Sequence, residues 1–207
     1  MKKSEDMQAL LNDKLAEASK AGNAEDMARY LEMGADVTYI DVKQDVMYKA
    51  LWMPLLSALI EQGAEELVRI VVSHGADVNS IDDRGLTPLM HAVLRMNGET
   101  SEEIAQCLIE NGADVNAYRI YDNKVESVLS RASYFAEDKT VELLLKNGAI
   151  PNLHAQDTTI LENRIATMHG FYNVDKKSHD EIIERYEKVL DMMKSAVKED
   201  VKEENNL

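Results

Sequence analysis

The sequence predicts an all-α solenoid, a single row of helix–turn–helix units joined by extended, hairpin-like fingers. Three observations predict it. Four segments end alike: ARYLEMGADVT at 28–38, VRIVVSHGADVNS at 68–80, AQCLIENGADVNA at 105–117 and VELLLKNGAIPN at 141–152. They set Gly34, Gly75, Gly112 and Gly148 at intervals of 41, 37 and 36 residues, a repeat-array period. Each glycine closes an amphipathic run of about eight to ten residues, where a helix that must stop gains from a residue able to turn left-handed without a Cβ clash. Only three prolines and nine glycines punctuate the 207 residues, which leaves long stretches free to be helical.

Taken in order, Met7–Lys20 reads as an amino-terminal cap, and DKLAEASKAGNAEDMARYLEMG (13–34) as the helix pair of unit one. Unit two is MPLLSALIEQGAEELVRIVVSHG, 53–75. Unit three opens with TPLMHAVLRM, 87–96, where Thr87 caps and Pro88 takes a first helical position that needs no N–H. After the turn NGET, Thr100 with Glu103 three residues later reads as a capping box for its second helix. Unit four is SVLSRASYFAEDKTVELLLKNG, 127–148. Beyond Pro151 the pattern degrades. TTILENRIATMHG, 158–170, can form a fifth first helix, and Ser178 with Glu181 opens a long helix with Ile182, Ile183, Tyr186, Val189, Leu190, Met193 and Val197 on one face. No such pair buries its apolar face alone, so the units stack. The expected division is one domain over 1–200: units at about 7–36, 37–77, 78–114 and 115–150, a degenerate capping repeat at 151–200, and a frayed tail at 201–207.

The combination TPLMHA, a capped second helix and NGADVN resembles the ankyrin repeat. Unit three carries Asp83, Gly85, Thr87, Pro88, Leu89 and Ala92 in the family's slots. Departures are Met53 for threonine in unit two, Ser127 and Val128 for Thr-Pro in unit four, and Met90 at the usual histidine with His91 one place later. The resemblance covers roughly residues 9–152. It implies a concave surface made of the fingers and the exposed side of the first helices. It says little about function, because a fold is not a function.

Composition narrows the rest. Hydrophobic residues at 45% and charged ones at 29% are ordinary for a soluble globular chain. The single cysteine, Cys107, excludes a disulfide scaffold and reads as a buried thiol on the face Ile104–Cys107–Leu108. A net charge of −15 opposes any sequence-independent hold on nucleic acid. The first twenty residues lack the apolar core of a signal peptide, and no stretch approaches a membrane span, so a cytoplasmic location is expected. His74, His91, His154, His169 and His179 show no metal-ligand spacing, and neither HExxH, a P-loop, GxGxxG nor GxSxG occurs. His74 reads as a helix-end cation, and His91 as a packing or groove-lining residue with a partner contact as the alternative. Glu65–Glu66 and Glu102–Glu103 sit in first turns, where the helix dipole accounts for them. The expectation is no enzyme, no cofactor and no metal.

Finger lengths carry the functional signal, since insertions in a solenoid map to its working face. Two are enlarged, 35–52 and 113–126, and their 32 residues hold five of the chain's eleven aromatics: Tyr39, Tyr48 and Trp52 in one, Tyr118 and Tyr121 in the other. The family's variable helix positions project onto Ile60 and Glu61, Leu94 and Arg95, and Tyr134 and Phe135, with Trp52, Leu86 and Glu126 just ahead of the helices. The expected partner-binding set is Tyr39, Tyr48, Trp52, Leu86, Arg95, Tyr118, Arg119, Tyr121, Tyr134 and Phe135, the apolar ones meeting water in a free monomer. Packing of these tyrosines against neighbouring fingers is the competing reading. Nine of the fifteen excess negative charges lie between residues 36 and 116, a field that favours a basic protein partner and repels acidic ones. The chain is thus expected to be a monomer when unbound and to bind a protein in an inhibitor, immunity or adaptor-type role. A small-ligand sensor using the groove around Trp52 and Tyr134 is the alternative.

Overall fold

The structure is a computed structural model, which describes residues 2–38, 53–94, 101–133, 138–153, 157–169 and 176–204. Helices follow one another in pairs. α1 (Lys2–Ala21) and α2 (Ala24–Glu32) make unit one, with Asn23 capping α2 by accepting the Asp26 N–H at 3.1 Å. Unit two has α3 (Leu55–Glu61) and α4 (Glu65–Ser73); unit three has α5 (Pro88–Val93) and α6 (Glu102–Glu110). Thr87 caps α5 through the Met90 N–H, as its sequence suggests. The cap of α6 is Ser101, which accepts the Ile104 N–H at 3.3 Å, and not Thr100, which lies outside the described residues. A hydroxyl on either of two adjacent residues makes an equally good start signal, so spacing alone could not choose between them.

Unit four begins with strands β1 (Tyr118–Tyr121) and β2 (Lys124–Ser127), then α7 (Val128–Ala132) and α8 (Asp138–Lys146). The chain closes with α9 (Asp157–His169) and α10 (Lys176–Glu204). α10 starts two residues before Ser178 and continues to Glu204, so the tail expected to fray from 201 is helical over most of its length. Among the described residues the only sheet is this two-stranded one.

Helices pack on their partners and then unit to unit: α3 on α5 on α7 along one layer, α2 on α4 on α6 on α8 along the other. Leu59, Val68, Val71, Leu89, Val93, Leu108, Val128, Val141 and Leu144 are fully buried between the layers. Burial of such side chains, worth about 1.5–3 kcal/mol each, is what holds short helices that would not persist alone. α10 lays Ile183, Tyr186, Val189, Leu190 and Met193 against α9 and α8.

The turns are joined by a repeated device. Asp36, Asp77 and Asp114 each accept the N–H two residues on, of Thr38, Asn79 and Asn116, which tightens the turn after the stop glycine. Asn79 then reaches the next unit, donating to Gly112 O at 3.0 Å and accepting the Asp114 N–H at 2.8 Å. Asn116 does the same with Gly148 O and the Ile150 N–H. At the amino end two side chains of α1 take this role: Gln8 donates to Gly34 O and Asn12 accepts the Asp36 N–H. At the other end the pattern changes, because Ile150 and Pro151 replace Asp and Val. Asn152 turns left-handed at φ +63, and the buried Asp157 accepts its N–H at 2.8 Å and the Ser127 hydroxyl at 2.7 Å.

Candidate interaction surface

The enlarged finger 113–126 folds as a true β-hairpin. Tyr118 pairs with Ser127, Arg119 with Glu126, Ile120 with Val125 and Tyr121 with Lys124. Asp122 and Asn123 form the tip, both left-handed at φ 51 and 57. Two successive positive φ values give the turn twist that matches paired strands, and Asp and Asn tolerate it through their short polar side chains. Strand alternation then gives the hairpin two faces. Tyr118 and Ile120 lie on one, Arg119 and Tyr121 on the other beside Glu126 and Lys124.

The second face looks over the first helices. Arg119 Nε donates to Glu126 Oε2 at 2.6 Å, and the other carboxylate oxygen accepts from Arg131 Nη1 of α7 at 3.2 Å. Arg119 Nη1 also donates to Arg84 O of the preceding finger at 3.1 Å, and its guanidinium lies 4.8 Å from the centre of the Tyr121 ring. With its base pinned, the hairpin holds three large side chains in water: Tyr118 is 49% exposed, Ile120 71% and Tyr121 63%.

Beneath the fingers runs a chain of hydrogen-bonded polar groups. His91, fully buried on α5, has Nδ1 against Glu61 Oε1 at the end of α3 and Nε2 3.2 Å from Asp82 Oδ2. Asp82 also accepts the N–H groups of Arg84 (2.9 Å) and Leu86 (2.8 Å) and Nε of Arg84 (3.0 Å). Burial alone would push this carboxyl up. The bonds from His91, the Leu86 N–H and Arg84 outweigh it and hold the carboxyl well below the usual range. Gly85 completes the short finger at φ +75, and the Asp82 N–H closes it on Leu86 O. Arg131, largely buried, donates Nε to Met90 O at 2.7 Å and Nη2 to Leu94 O at 2.8 Å. Burial pulls its guanidinium below the ordinary value against the pull of Glu126.

Several expected residues need correction. Leu86 is 1% exposed, because the Asp82 carboxylate holds its N–H and turns the side chain under the finger into the core. Ile60 is likewise buried, on the side of α3 that meets the stack. Leu94 is half-buried. Arg119 spends its polar groups inside the protein and serves as an anchor of the hairpin. Tyr39, Tyr48, Trp52, Arg95, Tyr134 and Phe135 lie outside the described residues, and with them the groove around Trp52 and Tyr134. Cys107 is buried, which pushes its thiol up and away from reactivity.

Two features were missed. Ile120, exposed beside the tyrosines, carries no aromatic signal in the sequence that would single it out. The other is a column: Ser57, His91 and Arg131 each stand four residues after the start position Met53, Thr87 or Ser127. Aligning the first helices on that position sets a polar residue at the same place in each. In the structure His91 and Arg131 reach back to the preceding unit, while Ser57 Oγ finds no partner among the described residues.

Among the described residues no group of three or more His, Cys, Asp or Glu is arranged to hold a metal ion, and no helix is long and apolar enough to cross a membrane. The family profile described as "Ankyrin repeats (3 copies)" matches residues 15–119 and 56–157, together well over half the chain. No curated protein matches it.

Proposed function

Because the chain belongs to the ankyrin-repeat family, whose repeats are protein–protein interaction modules, we propose that it acts without catalysis, by occupying a basic protein partner through the hairpin and the adjoining concave face. One observation carries the reading: Tyr118, Ile120 and Tyr121 stand in water on a strand pair whose base is fixed by ion pairs. Large apolar side chains cost free energy in that position, and tyrosine is among the residues that dominate binding hot spots. A surface held in place beforehand loses less entropy on binding than a mobile loop. The acidic balance of −15, concentrated between residues 36 and 116, favours a cationic partner and would speed its approach. Blocking or scaffolding is the mode of action open to such a surface, which suits an inhibitor, immunity or adaptor role.

The test compares the full chain with its Tyr118→Ala/Ile120→Ala/Tyr121→Ala variant as baits. The expected result is one stoichiometric protein, basic in composition, retained by the parent and lost by the variant at an unchanged melting temperature. Each hot-spot truncation should cost about 2 kcal/mol or more of binding. A partner held equally by both baits would move the site off the hairpin. Association that is indifferent to salt would remove the basic-partner reading.

A further inference from the structure

We infer that Arg131 is the positioning residue of the hairpin, fixing the attitude of the exposed strands over the first helices through Glu126; the inference rests on the hairpin being the recognition surface. The geometry behind it is a three-way division of one guanidinium. α5 stops after six residues, where Leu94 leaves the helix at φ −160 and ψ 96. A helix end leaves carbonyls without intrahelical donors, and two groups of Arg131 supply them from the next unit, Nε to Met90 O and Nη2 to Leu94 O. These two bonds fix where the side chain lies. The remaining Nη1 is thereby aimed at Glu126 on β2, and Glu126 in turn holds Arg119 on β1. Each strand of the hairpin is therefore tied, at one register pair, to a group whose position is set by α5 and α7.

This tie differs from the joints at the other turns. Asn79 and Asn116 act at the base of the fingers and would leave a hairpin free to swing about that base. The Arg119–Glu126–Arg131 chain acts one register pair further out, beyond Ser127, and on the face that carries Tyr121. Lysine cannot replace it. An ammonium on a flexible stem presents a point charge, whereas three acceptors in three directions need the planar fork.

The test is amide hydrogen exchange on the full chain, read residue by residue, in Arg131→Lys and Glu126→Gln. Arg131→Lys should speed exchange across Tyr118–Ser127 by about tenfold or more while α8 changes by less than about twofold, the mark of local opening. Glu126→Gln should loosen the same hairpin and leave the amides of α5 as they were, because the bonds to Met90 O and Leu94 O remain. In both variants the Tyr121 ring resonances should shift as the guanidinium beneath the ring is released. Hairpin protection unchanged in both variants overturns the inference. So does acceleration of α8 equal to that of the hairpin, since Arg131 would then be a general stabiliser. These readouts are taken on the free protein. A partner bound equally by the triple-alanine bait sinks the recognition reading alone, whereas unmoved hairpin exchange sinks the positioning role alone.

Discussion

Replacing Asp82 with alanine should destabilise the protein more than any other change in the short finger. The carboxylate is buried and accepts from four donors: two backbone N–H groups, Arg84 Nε and His91 Nε2. Alanine would strand the buried Leu86 N–H, at about 1–3 kcal/mol for an orphaned donor. It would also remove the buried carboxylate from its ion pair with Arg84 and its bond from His91 Nε2, and breaking a buried pair by removing one member costs about 3–5 kcal/mol. The Arg84 side chain is 24% exposed and can turn to water, so the two costs do not add in full. The expected total is about 3–5 kcal/mol. Asparagine keeps one oxygen for the backbone donors and loses only the charge, for about 1–3 kcal/mol. Urea unfolding at neutral pH, followed by the helical signal, gives both numbers. The pH dependence has a definite sign. A carboxyl held below its ordinary range in the folded state contributes stability above its unfolded pKa and loses it as pH falls through the folded one. The gap between wild type and Asp82→Asn should therefore be full at neutral pH and shrink below about pH 4. A cost under about 1 kcal/mol for Asp82→Ala, or a gap that widens in acid, would refute the reasoning.

Deleting 179–207 should cause aggregation or marked loss of stability, since it removes the five buried side chains that α10 lays on the stack and uncovers apolar partners such as Leu144 on α8 and Leu161 on α9, at about 1.5–3 kcal/mol each; a truncated monomer that melts unchanged would make α10 an appendage and not a cap. Leu86→Ala should cost about 2–5 kcal/mol and Ile120→Ala almost nothing, because only the first is in the core, and equal melting temperatures for the two would contradict that contrast. Cys107 should react with a thiol reagent only as fast as the protein opens, so full labelling in the native state within seconds would place the thiol outside the core.

What the sequence made legible was whatever is set locally. The stop glycines all adopt positive φ, Thr87 caps as its position dictates, and the apolar face of α10 runs as its periodicity requires. Finger length pointed to the hairpin, since fourteen residues exceed what a simple turn uses. The phase of the short first helices was harder. Six or seven residues make fewer than two turns, too few for periodicity to say that Ile60 faces inward, and Leu86 lies ahead of α5, where the hold of Asp82 on its N–H sets the direction of its side chain. The polar column escaped for another reason. A histidine in one core helix looks like an isolated oddity, and only its counterparts one unit to either side, Ser57 and Arg131, give it a meaning that is long-range in the chain.

That column has a consequence for how such an array can grow. At the outer turns the joints are interchangeable, for Asn79 and Asn116 make the same pair of bonds to whatever glycine turn comes next. A gene duplication of one unit would find that connection ready-made. The inner joints are keyed. His91 fits against Glu61, and the corresponding position of its own unit is Arg95. A second copy of unit three placed after the first would, by position in the sequence, offer its histidine an arginine where the first copy is offered a carboxylate. The array can be lengthened at such a step only if the lock and the key mutate together, so its units are fixed in their order as well as in their number.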